Sequence, residues 1–146
     1  MGCVVCATRG GQGSRAAQEW AIRHAQETDQ RLVFLYVVNP NAVGEVDDSM
    51  RPAIEAELAW VAQVLVRVAQ QRAARHQLET EGVVLLGDVR EEIVRFLEQQ
   101  SACMLVLGAP RGTTRNVFGD DAIEQFAQEI RQASGVAVEV ARPEAE

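Results

Sequence analysis

The sequence predicts a single α/β domain built on a parallel sheet, and three observations support this prediction. Short segments of strand-like composition alternate with longer segments of helical periodicity. The second of the short segments is apolar almost throughout, as expected for a strand whose two faces are both covered. The chain has 146 residues, the length of one ordinary domain. This alternation predicts a doubly wound, five-stranded parallel sheet with helices on both faces.

The elements follow in order from apolar periodicity and from turn residues. Strands are expected at Cys3–Ala7, Arg31–Val38, Val83–Leu86, Met104–Leu107 and Val136–Val140. Helices are expected from Ser14 as N-cap to Thr28, from Pro52 to His76, after Asp88, and from about Asp120 to Gly135. The last strand alternates apolar and other residues, which predicts an edge position.

The helices are expected to turn their apolar stripes to the core. In the first helix the stripe is Ala17, Trp20, Ala21, His24 and Ala25, and in the second it is Ile54, Leu58, Val61, Leu65 and Val68. The third is expected to turn Val89, Ile93, Phe96 and Leu97 inward, and the fourth Ile123, Phe126, Ala127 and Ile130. Trp20 and Trp60 are therefore expected in the core.

Length and composition limit the function classes. Residues 1–142 are expected to form one domain, and residues 143–146 a disordered tail. No apolar run reaches the ~20 residues that span a bilayer, and the chain starts without a signal-like segment, so we expect a cytoplasmic protein. A net charge of −7 disfavours nucleic acid and anionic membranes as partners. All 14 basic residues are arginine, which excludes lysine-dependent mechanisms such as Schiff-base formation.

Cysteine spacing does not predict a metal or redox centre. Cys3 and Cys6 have C-x-x-C spacing, but residues three apart in a strand point to opposite faces. We interpret both as buried structural thiols, and Cys103 has no second C-x-x-C partner that would complete a zinc site. The two histidines, His24 and His76, have no partner at catalytic spacing and are expected to be structural. No nucleophile–base constellation is present, so we do not expect an enzyme.

Two glycine-containing loops follow the first and fourth strands, where ligands of parallel sheets bind. The first loop contains Gly11–Ala16, which matches the G-x-G-x-x-A phosphate-binding pattern. A dinucleotide-binding fold also requires an acidic residue at the end of the second strand, and that residue is Asn39. The asparagine disfavours a dinucleotide-binding dehydrogenase, and the alternative interpretation of the loop is a flexible strand-to-helix turn.

Three segments and the overall order of strands and helices resemble the universal stress protein family. The segments are Tyr36-Val37-Val38-Asn39, the turn from Gly87 to Ile93, and the strand Leu105-Val106-Leu107-Gly108, and the order of elements matches over residues 2–141. The resemblance implies an adenine nucleotide alpha hydrolase-like fold with sheet order 3-2-1-4-5. It also implies homodimers, often formed through the fifth strand, and binding of ATP without a defined catalytic reaction.

The resemblance also implies a site. By position, the backbone of Ala7 and Thr8 and the side chain of Val37 would border adenine and ribose. Gly108 and Gly112 would line the phosphates, and Gly119 and Asp120 would stand at the phosphate-binding end of the last helix. Asp120 has a second interpretation as the N-cap of that helix.

This sequence departs from the family pattern around the phosphates. The loop after Gly108 is shorter, Asp120 replaces a serine or threonine, and Arg9 replaces the family's aspartate. Together with Arg111 and Arg115, Arg9 suggests an altered anion site, because guanidinium groups bind phosphate or carboxylate. The alternative is that these arginines are solvated or pair with Asp120 and Asp121.

Three functional hypotheses follow. The first is a regulatory module that binds ATP, a related adenine nucleotide or another small anion. The second is a dimeric interaction or signalling module of the same fold that binds no nucleotide, and the shortened loop favours it. The third, a nucleotide-hydrolysing enzyme, ranks last because no catalytic constellation is present.

Overall fold

The computed structural model describes residues 2–8, 11–44, 46–109 and 122–142, without the side chains of residues 11–13, 42 and 43. Five parallel strands alternate with four α-helices: β1 (Cys3–Ala7), α1 (Gly11–Thr28), β2 (Arg31–Val38), α2 (Arg51–Arg75), β3 (Glu81–Leu86), α3 (Val89–Gln100), β4 (Met104–Gly108), α4 (Ala122–Ser134) and β5 (Ala137–Ala141). A 3₁₀ turn at Pro40–Val43 lies between β2 and α2. Residues 143–146, for which the sequence predicts a disordered tail, lie outside the described residues.

The sheet has the expected order, β3-β2-β1-β4-β5, and all its pairings are parallel. The central strand β1 pairs Val5 with Val33 of β2 and with Leu105 of β4. Two apolar clusters cover the two faces. Helices α1 and α2 pack on one face, around Phe34, and helices α3 and α4 pack on the other, around Leu35 and Ile93. The prediction of β5 as an edge strand is confirmed.

The start of α1 differs from the prediction. Ser14 was expected to cap this helix, but α1 begins at Gly11, so Ser14 is a buried residue inside its first turns. Glycine costs about 1 kcal/mol relative to alanine in a helix, so the sequence favoured a loop over residues 11–13. Packing of the following segment on β1 and β4 overrides that local preference.

The buried face of α2 was also predicted incorrectly. The residues of α2 that are buried are Ala62, Val66, Ala69 and Ala73. The predicted stripe lies beside this face, so that Val61 and Val68 are exposed, and Trp60 is 63% exposed rather than in the core. The helix lies close over β3 at Gly82, where an added Cβ would clash with the side chain of Val66 and stand 2.7 Å from the Gln70 Oε1 atom.

The turn between β3 and α3 positions the start of α3. Gly87 has a φ of 149°, a conformation that residues with a side chain rarely adopt, and its N–H donates to the Val38 carbonyl at 2.9 Å. Asp88 then caps α3 by accepting from the Glu91 N–H at 3.0 Å. Because of this turn, the first residues of α3 stand beside the carboxyl end of β2.

Candidate functional site

A cavity of about 350 Å³ opens at the carboxyl ends of β1, β2 and β4. Its sheet wall consists of Ala7, Leu35, Val37, Leu107 and Gly108. Its helix walls consist of Val89 and Ile93 of α3 and of Ala122, Ile123 and Phe126 of α4. Thr8 and Ser14 are the polar residues of the described lining. The strand order reverses between β1 and β4, which is where sheets of this kind hold their ligands.

Four of the sequence-predicted site residues meet in this cavity. Ala7, Thr8, Val37 and Gly108 come from three neighbouring strands and line one space. The other five predicted site residues, Arg9, Arg111, Gly112, Gly119 and Asp120, lie outside the described residues, as do Arg115 and Asp121. Thr8 and Ser14, which flank the first loop, and Gly108 and Ala122, which flank the second, all line this cavity.

The described part of the cavity is apolar and uncharged. Of its twelve lining residues, ten have aliphatic, aromatic or glycine character, and none of the twelve is ionisable. Such a surface suits the face of a planar ring, because pockets for small molecules are predominantly apolar with a few placed polar groups. It offers no counter-charge to a phosphate. Charge for an anion would have to come from outside this lining.

Two consecutive side-chain hydrogen bonds hold Thr8, and the sequence analysis did not predict them. The Gln18 side chain donates from Nε2 to the Thr8 Oγ1 atom at 2.7 Å, and the Arg72 guanidinium donates to Gln18 Oε1 at 2.6 Å. Thr8 and Gln18 are buried. Burial lowers the pKa of Arg72, and the nearby Arg15 lowers it further. The signal in the sequence was a glutamine placed three and seven residues before Ala21 and Ala25, on the apolar stripe of α1.

The donor and acceptor roles in the hydrogen bonds between Arg72, Gln18 and Thr8 follow from the chemistry of arginine. A guanidinium has only donors, so Gln18 must turn its oxygen toward Arg72 and its NH₂ toward Thr8. Thr8 therefore accepts from Gln18, and its own hydroxyl hydrogen is left for a different acceptor. Among the described residues no hydrogen bond uses that hydrogen. The Thr8 side chain is thus held by Gln18 of α1, and Thr8 is also one of the residues that line the cavity.

The cysteines match the sequence interpretation. Cys3 belongs to the cluster beneath α3 and α4, and Cys6 to the cluster beneath α1 and α2, so the two thiols lie on opposite faces. Both are buried and free, whereas Cys103 is exposed. No group of three or more metal-ligating side chains occurs within residues 2–8, 11–44, 46–109 and 122–142.

We expect the three thiols to react at very different rates. Burial raises the pKa of Cys6 to about 12 and also raises that of Cys3, so neither forms the reactive thiolate near neutral pH. Mass spectrometry after brief treatment with iodoacetamide should show label on Cys103, and denatured protein should be labelled at all three. Native labelling of Cys6 as fast as Cys103 would contradict its buried position.

The same shift predicts how alkali affects stability. Because the folded pKa of Cys6 lies above the unfolded value of about 9, its contribution to stability is complete below pH 9 and is lost as the pH rises toward 12. Urea titrations should therefore show a free energy of unfolding that declines over this range. A Cys6→Ala variant should decline less steeply, and equal slopes would contradict the assignment.

The fold and the cavity define a doubly wound α/β domain with an open site at its topological switch point. The chain belongs to the universal stress protein family, whose model matches residues 2–124. Its architecture is the adenine nucleotide alpha hydrolase-like fold. None of the curated proteins shows significant sequence similarity to it. Among the described residues, no helix is both long enough and apolar enough to cross a bilayer.

Solved structures of low sequence identity share the fold. The universal stress protein UspA of Lactobacillus plantarum is 18% identical, with a TM-score of 0.73 over 96% of this chain and 97% of its own. The Archaeoglobus fulgidus universal stress protein in complex with dAMP is 15% identical, with a TM-score of 0.64 over 97% and 98%. An Arabidopsis thaliana family protein with AMP bound is 13% identical, with a TM-score of 0.68 over 98% and 93%.

Proposed function

We propose that this protein is a regulatory module that binds ATP or a related adenine nucleotide in the cavity at the carboxyl ends of β1, β2 and β4, without catalysing a reaction. The observation that carries the proposal is the meeting of Ala7, Thr8, Val37 and Gly108 in one apolar cavity. Membership of the family supports it, as do relatives of the same fold bound to dAMP and AMP.

The base and ribose of the proposed ligand would contact one part of the site, and its phosphates another. The apolar walls, with Val37 on one side and the backbone of Ala7 and Thr8 on another, would receive the adenine ring and ribose. The phosphates would extend past Gly108 toward Gly112, Gly119 and Asp120, where Arg9 and Arg111 would supply positive charge.

A second candidate function is an interaction or signalling module that binds no nucleotide. The observation that favours it is the uncharged lining of the described cavity, which provides no group for a phosphate. In that case the cavity would accept an uncharged apolar ligand or none, and the protein would act through its outer surface. The two candidates differ in a measurable way, because only the first requires affinity for adenine nucleotides.

Isothermal titration with ATP, ADP, AMP, adenosine and GTP tests the proposal. We expect heat of binding with the adenine compounds, weaker or no binding of GTP, and a higher melting temperature in the presence of ATP, because a ligand of the native state stabilises it. A weaker response to adenosine than to ATP would indicate that the phosphates contribute. No heat and no thermal shift with any of these compounds would reject the nucleotide proposal and leave the second candidate.

An Ala7→Leu variant should locate the site. The larger side chain extends into the cavity, so we expect ATP affinity to fall at least about tenfold while the melting temperature of the free protein changes little. Ala56→Leu, at an exposed position of α2, is the matched control and should bind like the original chain. Equal affinities for the two variants would place the ligand elsewhere.

A further inference from the structure

Two of the three cysteines lie side by side at the amino ends of the central strands. Val4 of β1 is the register partner of Met104 of β4, and Cys3 and Cys103 immediately precede them. The Cys103 N–H donates to the Cys3 carbonyl at 3.0 Å, so the two backbones are in direct contact. Sequence spacing pairs Cys3 with Cys6, whereas the fold brings Cys3 to a cysteine 100 positions away.

Both sulfur atoms lie close to the turn that joins α3 to β4. The Cys3 Sγ atom is 3.9 Å from the carbonyl oxygen of Gln100, the last residue of α3. The Cys103 Sγ atom is 3.1 Å from the Cys3 carbonyl oxygen and 2.9 Å from the Gln30 Oε1 atom. The single hydrogen of the Cys103 thiol therefore has two acceptors, and the nearer one is the Gln30 side chain.

The separation of these two residues suits a disulfide bond. Neighbouring strands of a sheet lie about 4.8 Å apart, and a disulfide requires about 4.4–6.8 Å between its two Cα atoms. Cys6 cannot take part, since its side chain belongs to the cluster on the other face of the sheet. Cys3 is therefore the cysteine that Cys103 can reach within one folded chain.

The two thiols differ in exposure in the way that a two-step oxidation requires. Cys103 is exposed, so a peroxide in solution reaches it first, whereas Cys3 has no exposed surface. The buried thiol needs no access to solvent, because its reaction partner is the neighbouring sulfur. Burial raises the pKa of Cys3, and the positive charge of Arg31, its register partner on β2, opposes that rise.

We propose that Cys3 and Cys103 form a peroxide-responsive dithiol that closes to a disulfide between the starts of β1 and β4. In the first step the Cys103 sulfur attacks the O–O bond, which yields a Cys103 sulfenic acid and releases the other peroxide oxygen as water or an alcohol. In the second step the Cys3 sulfur attacks the Cys103 sulfur, the S–O bond breaks, and the hydroxide leaves with the Cys3 proton as water. The two thiols together lose two electrons, and one peroxide gains them.

Closing the bond changes local contacts at one end of the sheet only. Cys103 must leave the Gln30 Oε1 atom, and its sulfur turns toward the Cys3 sulfur. The cavity opens at the other end, at the carboxyl ends of β1, β2 and β4. The proposal is therefore independent of nucleotide binding.

A count of thiols after peroxide treatment of the folded chain tests the proposal. Protein exposed to excess hydrogen peroxide over a time course, then unfolded, should pass from three reactive thiols to one, and dithiothreitol should restore all three. A non-reducing tryptic digest should contain the peptide ending at Arg9 joined to the peptide ending at Arg111. The first peptide contains both Cys3 and Cys6, so the digest is repeated with Cys6→Ala, which should form the same bridge. Three unchanged thiols, or a disulfide that joins two chains, would overturn the proposal.

Two serine variants separate the steps of the reaction. Cys103→Ser should keep both remaining thiols during the same treatment, because neither buried sulfur is reached from solution. Cys3→Ser should lose the Cys103 thiol as fast as the original chain but accumulate a sulfenic acid, which dimedone traps, and form no bridge. Circular dichroism checks that each variant is folded. A Cys6–Cys103 bridge in Cys3→Ser, or oxidation of Cys103→Ser at the original rate, would contradict the assigned roles.

Thermal melting of the oxidised and reduced chains tests whether the bridge fits the folded structure. The disulfide links residues 3 and 103, so it restricts the unfolded chain over most of its length. We therefore expect the oxidised chain to melt at a higher temperature than the reduced one. A lower melting temperature would show that the bridge distorts the two strands, and the proposal would then be wrong.

Discussion

Replacing Phe34 by alanine is expected to lower the free energy of unfolding by about 3–5 kcal/mol, the usual range for a fully buried phenylalanine. Phe34 lies on β2 with no exposed surface, at the centre of the cluster beneath α1 and α2. Its loss removes apolar contacts and leaves a cavity within the cluster that also contains Val4, Val66 and Ala69. In a chain of this length the melting temperature should fall by roughly 10 °C.

Phe126→Ala is the matched control for this prediction. Phe126 is half-buried, packs on the opposite face of the sheet and borders the cavity, so its replacement should cost less than half as much stability. It should instead change ligand affinity, because it removes one wall of the proposed site. Urea unfolding, analysed with the same m-value for both variants, measures the change in the free energy of unfolding. Equal destabilisation by the two variants would mean that the cluster around Phe34 is not the principal core.

The polar chain from Arg72 to Thr8 predicts a second large effect. Arg72→Leu is expected to lower the free energy of unfolding by about 1–3 kcal/mol, because it leaves the Gln18 Oε1 atom buried without a donor. Adding Gln18→Leu should recover much of this loss, since removing both partners costs less than removing one. Arg72→Lys, which keeps a charged donor, should be milder than Arg72→Leu.

A double-mutant cycle measures the coupling between these two residues. The stabilities of Arg72→Leu, Gln18→Leu and the double variant should depart from additivity by more than about 0.5 kcal/mol, as for residues in direct contact. Additive effects would show that the hydrogen bond at 2.6 Å contributes nothing to folding.

The strands and the course of the chain were predictable because their signal is local. The prediction used apolar runs of strand length and the glycine, proline and asparagine turns between them. It gave the correct bounds of β1 and β2, and the predicted bounds of the other strands lie within two residues of the observed ones. The rule that ligands bind at the carboxyl ends of parallel strands predicted this end of the sheet, and the family resemblance supplied the positions Ala7, Thr8, Val37 and Gly108, which line the cavity. The family resemblance added the strand order to this reading.

Periodicity alone could not choose the buried face of α2. The buried residues of the helix are Ala62, Val66, Ala69 and Ala73, whereas hydrophobicity favours the neighbouring stripe, which consists only of larger apolar residues. Val66 and Gln70 of α2 approach Gly82 so closely that the strand has no room for a side chain there, a steric condition that appears only when helix and strand are placed together. The hydrogen bonds of Gln18 likewise join residues 10 and 54 positions apart.

By itself, the sequence determined the fold class, the family and the end of the sheet where a ligand would bind, since these depend on patterns within single elements. Only the tertiary structure decided that α2 buries alanines and exposes Trp60, and that Arg72 orients Gln18 and Thr8. The physical reason is that close packing and hydrogen bonding act between segments distant in the chain, where the shape of one surface selects which side chains the other can bury.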